Sequence, residues 1–226
     1  ADAARRACED AAVVYNCLNV PYQQWADLLM PLTENSIEAA AHADAPLVMT
    51  DNLYMYGPAE MPMTEETPRR PEGPKGRLRV EMEKMLMDAH EAGRTPVTIG
   101  RASDFYGPHA NSSTRDLVFE AALDGNTAAW LGTLDAPHTM TYLPDFARGL
   151  VTLGTHEEAL GEIWHLPSND PVTGRRFIEL VYDEADREPS MKTYGYWSLT
   201  LAGLFDAQIW EVREVLYQFQ EPFVMD

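Results

Sequence analysis

The sequence predicts an α/β protein on a parallel sheet, with a smaller, mixed lobe towards the C-terminus. Three observations predict it. Short apolar, β-branched runs without polar alternation recur at residues 12–17 (AVVYNC), 47–49 (LVM) and 97–100 (VTIG); such runs read as strands buried on both faces. Helical patterns separate them, and strands alternating with helices favour a parallel sheet with right-handed crossovers. After residue 110 that rhythm loosens into short mixed elements.

Residues 2–9 read as the end of a helix and 12–17 as the first buried strand. Residues 25–43 are helical in pattern. Residues 58–74 hold five prolines and several acids and read as a surface loop. Residues 76–92 form the clearest helix, because Leu78, Met82, Met85, Leu86 and Ala89 recur at helical spacing and Gly93 supplies a stop. Beyond the strand at 97–100, residues 114–123 read as a helix and AAWLG as a strand. TMTYLPDFARGLVTLGT reads as a strand entering a helix, residues 161–166 as a strand and 173–185 as a helix. The stretch SLTLAGLFDAQIWEVREVLYQF reads as apolar helix packed on the C-terminal lobe. Residues 1–110 are expected to form one region and 111–226 the other, with some interleaving of chain segments.

The chain has 226 residues and a net charge of −19. That charge repels nucleic acid and anionic membrane surfaces. No apolar run approaches a membrane span, and no signal peptide is visible. Cys8 and Cys17 fit neither a CxxC pair nor a disulfide framework, so a reducing cytoplasm is the natural compartment. The six histidines make no HxxxH or HExxH pattern, and no metal site is expected.

Candidate chemistry concentrates in residues 47–108, where polar groups collect at the ends of successive strands, the place where α/β sheets hold ligands. Thr50, Asp51, Asn52, Tyr54 and Tyr56 follow the strand at 47–49. They can hydrogen-bond a carbonyl or alcohol; alternatively Asp51 and Asn52 cap a turn and the tyrosines pack. Lys75 opens a helix, where the dipole disfavours a cation. Contact with a ribose or phosphate is one reason for it, and exposure beside Arg77 and Arg79 is the other. Arg101, Ser103, Asp104 and Tyr106 follow the next strand, and a structural ion pair between Arg101 and Asp104 is the alternative reading there. Tyr142, Asp145 and Arg148 form a fourth group, with Asp145 expected to cap the following helix. No GxGxxG, Walker loop or GxSxG occurs.

Together these segments resemble the extended short-chain dehydrogenase/reductase superfamily, the NAD-dependent epimerase/dehydratase group. TDNLYMYG stands where that family has a Ser/Thr-rich turn and VYG, and PEGPKG carries the lysine of YxxxK as Lys75. The run from Arg101 to Pro108 stands for R-P-x-N-x-Y-G-P, TYLPD for the later H-V-x-D element, and AVVYNCLNV for an early strand and loop. The resemblance implies a Rossmann-like sheet, incomplete at its N-terminus because the glycine-rich fingerprint is missing, and a C-terminal substrate lobe. The chain is expected to be a fragment of a longer protein.

The same resemblance implies NAD or NADP as cofactor and a small-molecule substrate, a nucleotide-sugar or another carbonyl or alcohol compound. It sets Cys17, Leu18, Asn19, Lys75, Arg101 and Ser103 against the cofactor, and Asp104 and Tyr106 against the substrate. Homodimers are common in such folds, though no segment here marks an interface. The expected activity is that of an epimerase/dehydratase or reductase. Two positions depart from the pattern: Pro71 occupies the YxxxK tyrosine, and Asn52 falls near the usual hydroxyl slot, with Thr50 the nearest hydroxyl. Proline cannot exchange a proton, so Tyr54 or Tyr56 is the candidate substitute, working with Lys75, Thr50 and Asn52. The alternative is a non-catalytic dinucleotide sensor or scaffold.

Overall fold

The computed structural model describes residues 1–226. Its first elements are α1 (Asp2–Ala7), β1 (Val14–Asn16), α2 (Trp25–His42), β2 (Leu47–Asp51), α3 (Pro74–Glu91) and β3 (Val97–Arg101). Next come β4 (Asp104–Tyr106), α4 (Glu120–Asp124), β5 (Ala128–Leu131), β6 (Pro137–His138), β7 (Met140–Tyr142), α5 (Leu143–Thr155) and β8 (Ile163–His165). The last are β9 (Val172–Thr173), α6 (Gly174–Glu184), β10 (Met191–Tyr194), α7 (Tyr196–Gly203) and α8 (Ala207–Val212). Two compact units divide the chain. One comprises Ala1–Ala59, Glu65–Ala102 and Phe146–Leu166, the other Glu60–Thr64, Ser103–Asp145 and Pro167–Asp226.

The first unit is built on a four-stranded sheet in the order β1-β2-β3-β8. Every pair in it is parallel, so the α/β fold with a parallel sheet is the fold observed. Leu47, Val48, Met49, Val97 and Ile99 are buried, as strands covered on both faces require. Against them α3 buries Met82, Leu86 and Ala89, and α2 buries Trp25, Leu29 and Ile37. The leucine, isoleucine and methionine side chains among them each contribute roughly 1.5–3 kcal/mol on leaving water.

Helix α3 begins two residues before the apolar period does, because Pro74 after the extended Gly73 is already set for a helical first turn. It ends where Gly93 turns left-handed, at φ +68°. Strands β2 and β3 run past their apolar cores to the polar residues Asp51 and Arg101, which face each other in register. Arg101 is in turn in register with His165 on β8. Three strands therefore end together on titratable side chains.

The second unit has three two-stranded pairs: β5 with β10 and β4 with β7, both parallel, and β6 with β9, antiparallel. Its core gathers Val118, Trp130, Phe177, Ile178, Tyr182, Leu216 and Phe219. One expectation needs correction here, and two are met with a difference of detail. The helix expected over 114–123 is present, its Arg115–Phe119 portion wound as π-helix before α4; Gly125, left-handed, stops it, and Phe119 meets Phe177 edge-on.

The apolar C-terminal stretch is helical and packs Leu199, Leu216 and Phe219 into that core, but as separate segments. Asp206 accepts bonds from the backbone N–H groups of Gln208 and Ile209, restarting the chain as α8. Helix α7 is apolar on all sides, so no single face can cover it: Leu199 and Gly203 are buried while Trp197, Leu201, Leu204 and Phe205 lie exposed. Finally, Asp145 does not cap α5. That helix starts at Leu143, which puts Asp145 inside its first turn, where the dipole favours an acid.

Candidate active site

The strand-end residues resolve into an open aromatic cluster and a buried ionic one, both in the first unit. The open cluster starts after β1. Cys17, Leu18 and Asn19 form an exposed loop, held by Asn16, whose side chain accepts from the Leu18 N–H and donates to Ser36 Oγ. The loop then turns through a 3-10 segment, Tyr22–Gln24, into α2. The buried indole of Trp25 fixes that turn by donating to the Val20 carbonyl at 2.9 Å.

Tyr54 comes from the turn after β2. Asn52 Oδ1 accepts from the Tyr54 N–H at 3.1 Å, an Asx turn that starts the 3-10 segment Tyr54–Tyr56. Thr50 Oγ1 donates to the Asn16 carbonyl at 3.0 Å and ties β2 to β1. Gly57 closes the turn at φ +62°, where an added Cβ would fall 2.3 Å from the Arg70 carbonyl oxygen.

The phenol oxygens of Tyr22 and Tyr54 are 2.7 Å apart. Trp25 meets Tyr22 edge-on and lies nearly parallel to Tyr54. Lys75, 4% exposed, sets its ammonium 5.1 Å from the centre of the Tyr22 ring, and the Arg79 guanidinium covers Trp25 at 4.4 Å. The exposed basic cluster considered for Lys75, Arg77 and Arg79 does not form, because Lys75 and Arg79 are buried on aromatic faces.

Close approach explains how Lys75 is presented. A Cβ on Gly76 would stand 2.5 Å from the Tyr54 carbonyl oxygen and 2.7 Å from Pro71 Cβ. Gly76→Ala is expected to destabilise the protein by about 1–3 kcal/mol through overpacking and to push the start of α3 away from the Tyr54 turn. Urea unfolding checks the first effect and cofactor titration the second.

The buried cluster lies inside. Arg101, 0% exposed, donates through Nε to Asp51 Oδ2 at 3.1 Å, through Nη1 to the Tyr56 phenol at 2.8 Å, and through Nη2 to Glu83. Asp51 also pairs with Arg79, and Glu83 with Arg69. Tyr56 Oη is 2.8 Å from His165 Nε2. Burial alone would lower the Arg101 pKa, but Asp51, Tyr56 and Glu83 together hold it above its ordinary value. Burial also raises the Tyr56 phenol, more than Arg101 and Arg69 lower it.

Arg101 and Tyr56 therefore sit inside the fold, linked to the open cluster through Asp51 and Arg79, whose guanidinium lies on Trp25. The suggested pairing of Arg101 with Asp104 is corrected: Arg101 binds Asp51 and Glu83, while Asp104 accepts from His138 Nε2 at 2.8 Å.

In the second unit His138 lies between Phe219 and Phe223, its Nδ1 3.1 Å from the Gln218 carbonyl. Ser103 is buried and its hydroxyl has no hydrogen-bond partner. Tyr106 accepts a bond from the Asn169 amide at 2.7 Å; burial raises its pKa, against the lowering effect of that bond.

Thus the structure brings together Lys75, Tyr54 and Asn52, with Thr50 bridging β2 to β1. It buries Tyr56 and Arg101 and adds Tyr22, which sequence reasoning missed. The signal for Tyr22 was faint: an aromatic residue in the loop after the first strand, 32 positions from Tyr54. No three metal-ligating side chains cluster in binding geometry, and no helix is long and apolar enough to cross a membrane.

A parallel sheet with polar side chains at its strand ends defines the class, and comparison with known proteins gives the family. The NAD dependent epimerase/dehydratase family model matches residues 23–166, and the chain belongs to that family. Over 154 residues it is 32% identical to an uncharacterized protein, y4nL, of Sinorhizobium fredii (strain NBRC 101917 / NGR234); the match covers 66% of this chain and 43% of that one.

Among solved structures it is similar to UDP-glucuronic acid 4-epimerase from Bacillus cereus in complex with NAD, with TM-score 0.73, 18% identity and coverage of 85% and 65% of the two chains. It is also similar to the dTDP-glucose 4,6-dehydratase DesIV from Streptomyces venezuelae, solved with NAD, with TM-score 0.70, 18% identity and coverage of 86% and 64%. The chain therefore spans under two thirds of the length of each of these relatives.

Proposed function

We propose that the protein containing this chain is an NAD(P)-dependent oxidoreductase or epimerase acting at a carbonyl or secondary-alcohol carbon of a small molecule, a nucleotide-sugar or another compound. One observation carries the reading: the Tyr22 and Tyr54 phenols share a hydrogen bond of 2.7 Å with the buried Lys75 ammonium on the Tyr22 ring. Family membership and the NAD named with the similar structures support the cofactor.

The residues present suit the ribose and reacting end of a dinucleotide. The loop of Cys17, Leu18 and Asn19 is exposed, both phenols are half-buried, and a cation opens α3. They do not include a glycine-rich pyrophosphate cradle. When bound, the dinucleotide supplies hydride chemistry. Tyr54 donates its proton to the carbonyl oxygen as the carbon is reduced, and Tyr22 replaces it through the shared hydrogen bond. Lys75 places positive charge beside the transient phenolate and donates to ribose hydroxyls. In the oxidative direction the same groups run in reverse. Asp104 and Tyr106 are the residues proposed for substrate contact, and Ser103 for cofactor contact. The free thiols Cys8 and Cys17 suit a reducing cytoplasm.

Titration of the complete protein with NADH and NADPH tests the reading. Binding of one of them, weakened about tenfold or more by Lys75→Ala, is the expected result. Absence of binding to both cofactors sinks it. The use of Asn52, Thr50 and Tyr56 in internal hydrogen bonds favours a second reading, a dinucleotide sensor without turnover. It predicts cofactor binding but no hydride transfer across aldehydes, ketones and sugar nucleotides.

A further inference from the structure

The second unit holds a cleft of about 420 Å³, within the range of small-molecule sites. It opens between the segment containing Phe119 and α4 on one side and α6 on the other. Phe119, Met140, Val172, Phe177 and Val181 form its apolar lining. Leu123 and Leu180 stand at the cleft 70% and 40% exposed, large apolar surface left in water. One polar pair reaches the wall, the Tyr106 phenol held by the Asn169 amide, and it can hydrogen-bond a ligand head.

Its charged side chains are both acids, Asp170 and Glu184, and no lysine or arginine lines it. Glu184 also ends α6, so the negative end of that helix dipole lies at the cleft. The Arg187 guanidinium donates to the Leu123 carbonyl. A diphosphate or carboxylate would meet acids where it needs cations.

We infer that this cleft binds a non-anionic aryl compound, an aromatic alcohol, ketone or amine, with its ring among Phe119, Phe177 and Val181. The inference goes beyond the redox reading and does not depend on it, since its readout is binding and not turnover.

A matched fluorescent series tests it on the full chain: 1-naphthalenemethanol, 1-naphthylmethylamine and 1-naphthoate. The alcohol and the amine are expected to bind, with naphthoate about tenfold weaker or worse. Leu180→Ala, at a position 40% exposed, is expected to weaken the alcohol about threefold. The Asp170→Asn/Glu184→Gln double variant, also exposed, is expected to bring naphthoate to within a few-fold of the alcohol. Binding of none of the three probes overturns the inference. So does naphthoate binding as tightly as the alcohol to the parent protein, or alcohol binding that Leu180→Ala leaves unchanged. Cofactor titration on the same samples keeps the tests separate, because loss of the redox reading does not alter these affinities.

Discussion

Arg101→Leu is expected to lower the stability of the protein by about 3 kcal/mol, towards the lower end of the cost of breaking a buried ion pair. The guanidinium is fully buried and satisfies Asp51, Glu83 and the Tyr56 phenol at once. Removing it leaves two carboxylates inside the fold with less countercharge. The loss stays nearer 3 than 5 kcal/mol because Asp51 keeps Arg79 at 3.2 Å and Glu83 keeps Arg69 at 3.0 Å. Arg101→Lys restores the charge but not the fork that reaches three acceptors, so it should recover less than half of the loss. Urea unfolding at neutral pH measures both, with an unchanged m-value as the check that only stability moved. A cost for Arg101→Leu below about 1 kcal/mol would show that the cluster contributes little.

The same cluster makes a prediction in pH. The Tyr56 pKa is raised in the fold, so the folded state holds the phenol proton more tightly than the unfolded chain does. The stability it contributes is complete below the unfolded tyrosine value, about 10. It is lost as pH rises through the folded value, because the unfolded state sheds the proton first.

Much of the frame was legible in the sequence because its signals are local. The β-branched runs at 47–49 and 97–100 and the apolar period of α3 mark elements whose burial needs no distant partner to explain it. What the strand ends do was not legible, since each role depends on contacts across long sequence separations. Arg101 reads as a strand-end residue of a motif. Its burial follows from Asp51, Glu83 and Tyr56, which lie 50, 18 and 45 positions away.

Tyr54 and Tyr56 are equivalent in the string LYMYG. The 3-10 turn separates them, sending one phenol to Tyr22 and the other inward to Arg101 and His165. The C-terminal stretch is helical as its apolar run suggests, but the break within it was not legible. A continuous apolar run hides that break, which falls where Asp206 caps the start of α8.

Tyr54→Phe is expected to lower kcat by about a hundredfold or more, the scale of a lost general acid, while cofactor affinity stays within about twofold. Tyr22→Phe keeps the ring under Lys75 and against Trp25 but removes the hydroxyl bonded to Tyr54, so its effect should be smaller, about tenfold in kcat. If the two phenols act as one proton path, the double variant falls barely below Tyr54→Phe alone. Two independent groups would instead multiply their losses. Tyr56→Phe separates chemistry from packing: it should reduce stability by about 1 kcal/mol through the lost bonds to Arg101 and His165 and leave kcat nearly unchanged. Steady-state kinetics on whichever carbonyl substrate the complete protein turns over, read beside urea unfolding of each variant, tests the set. A kcat that falls for Tyr56→Phe but not for Tyr54→Phe would move the proton donor into the buried cluster and end the Tyr22–Tyr54 assignment.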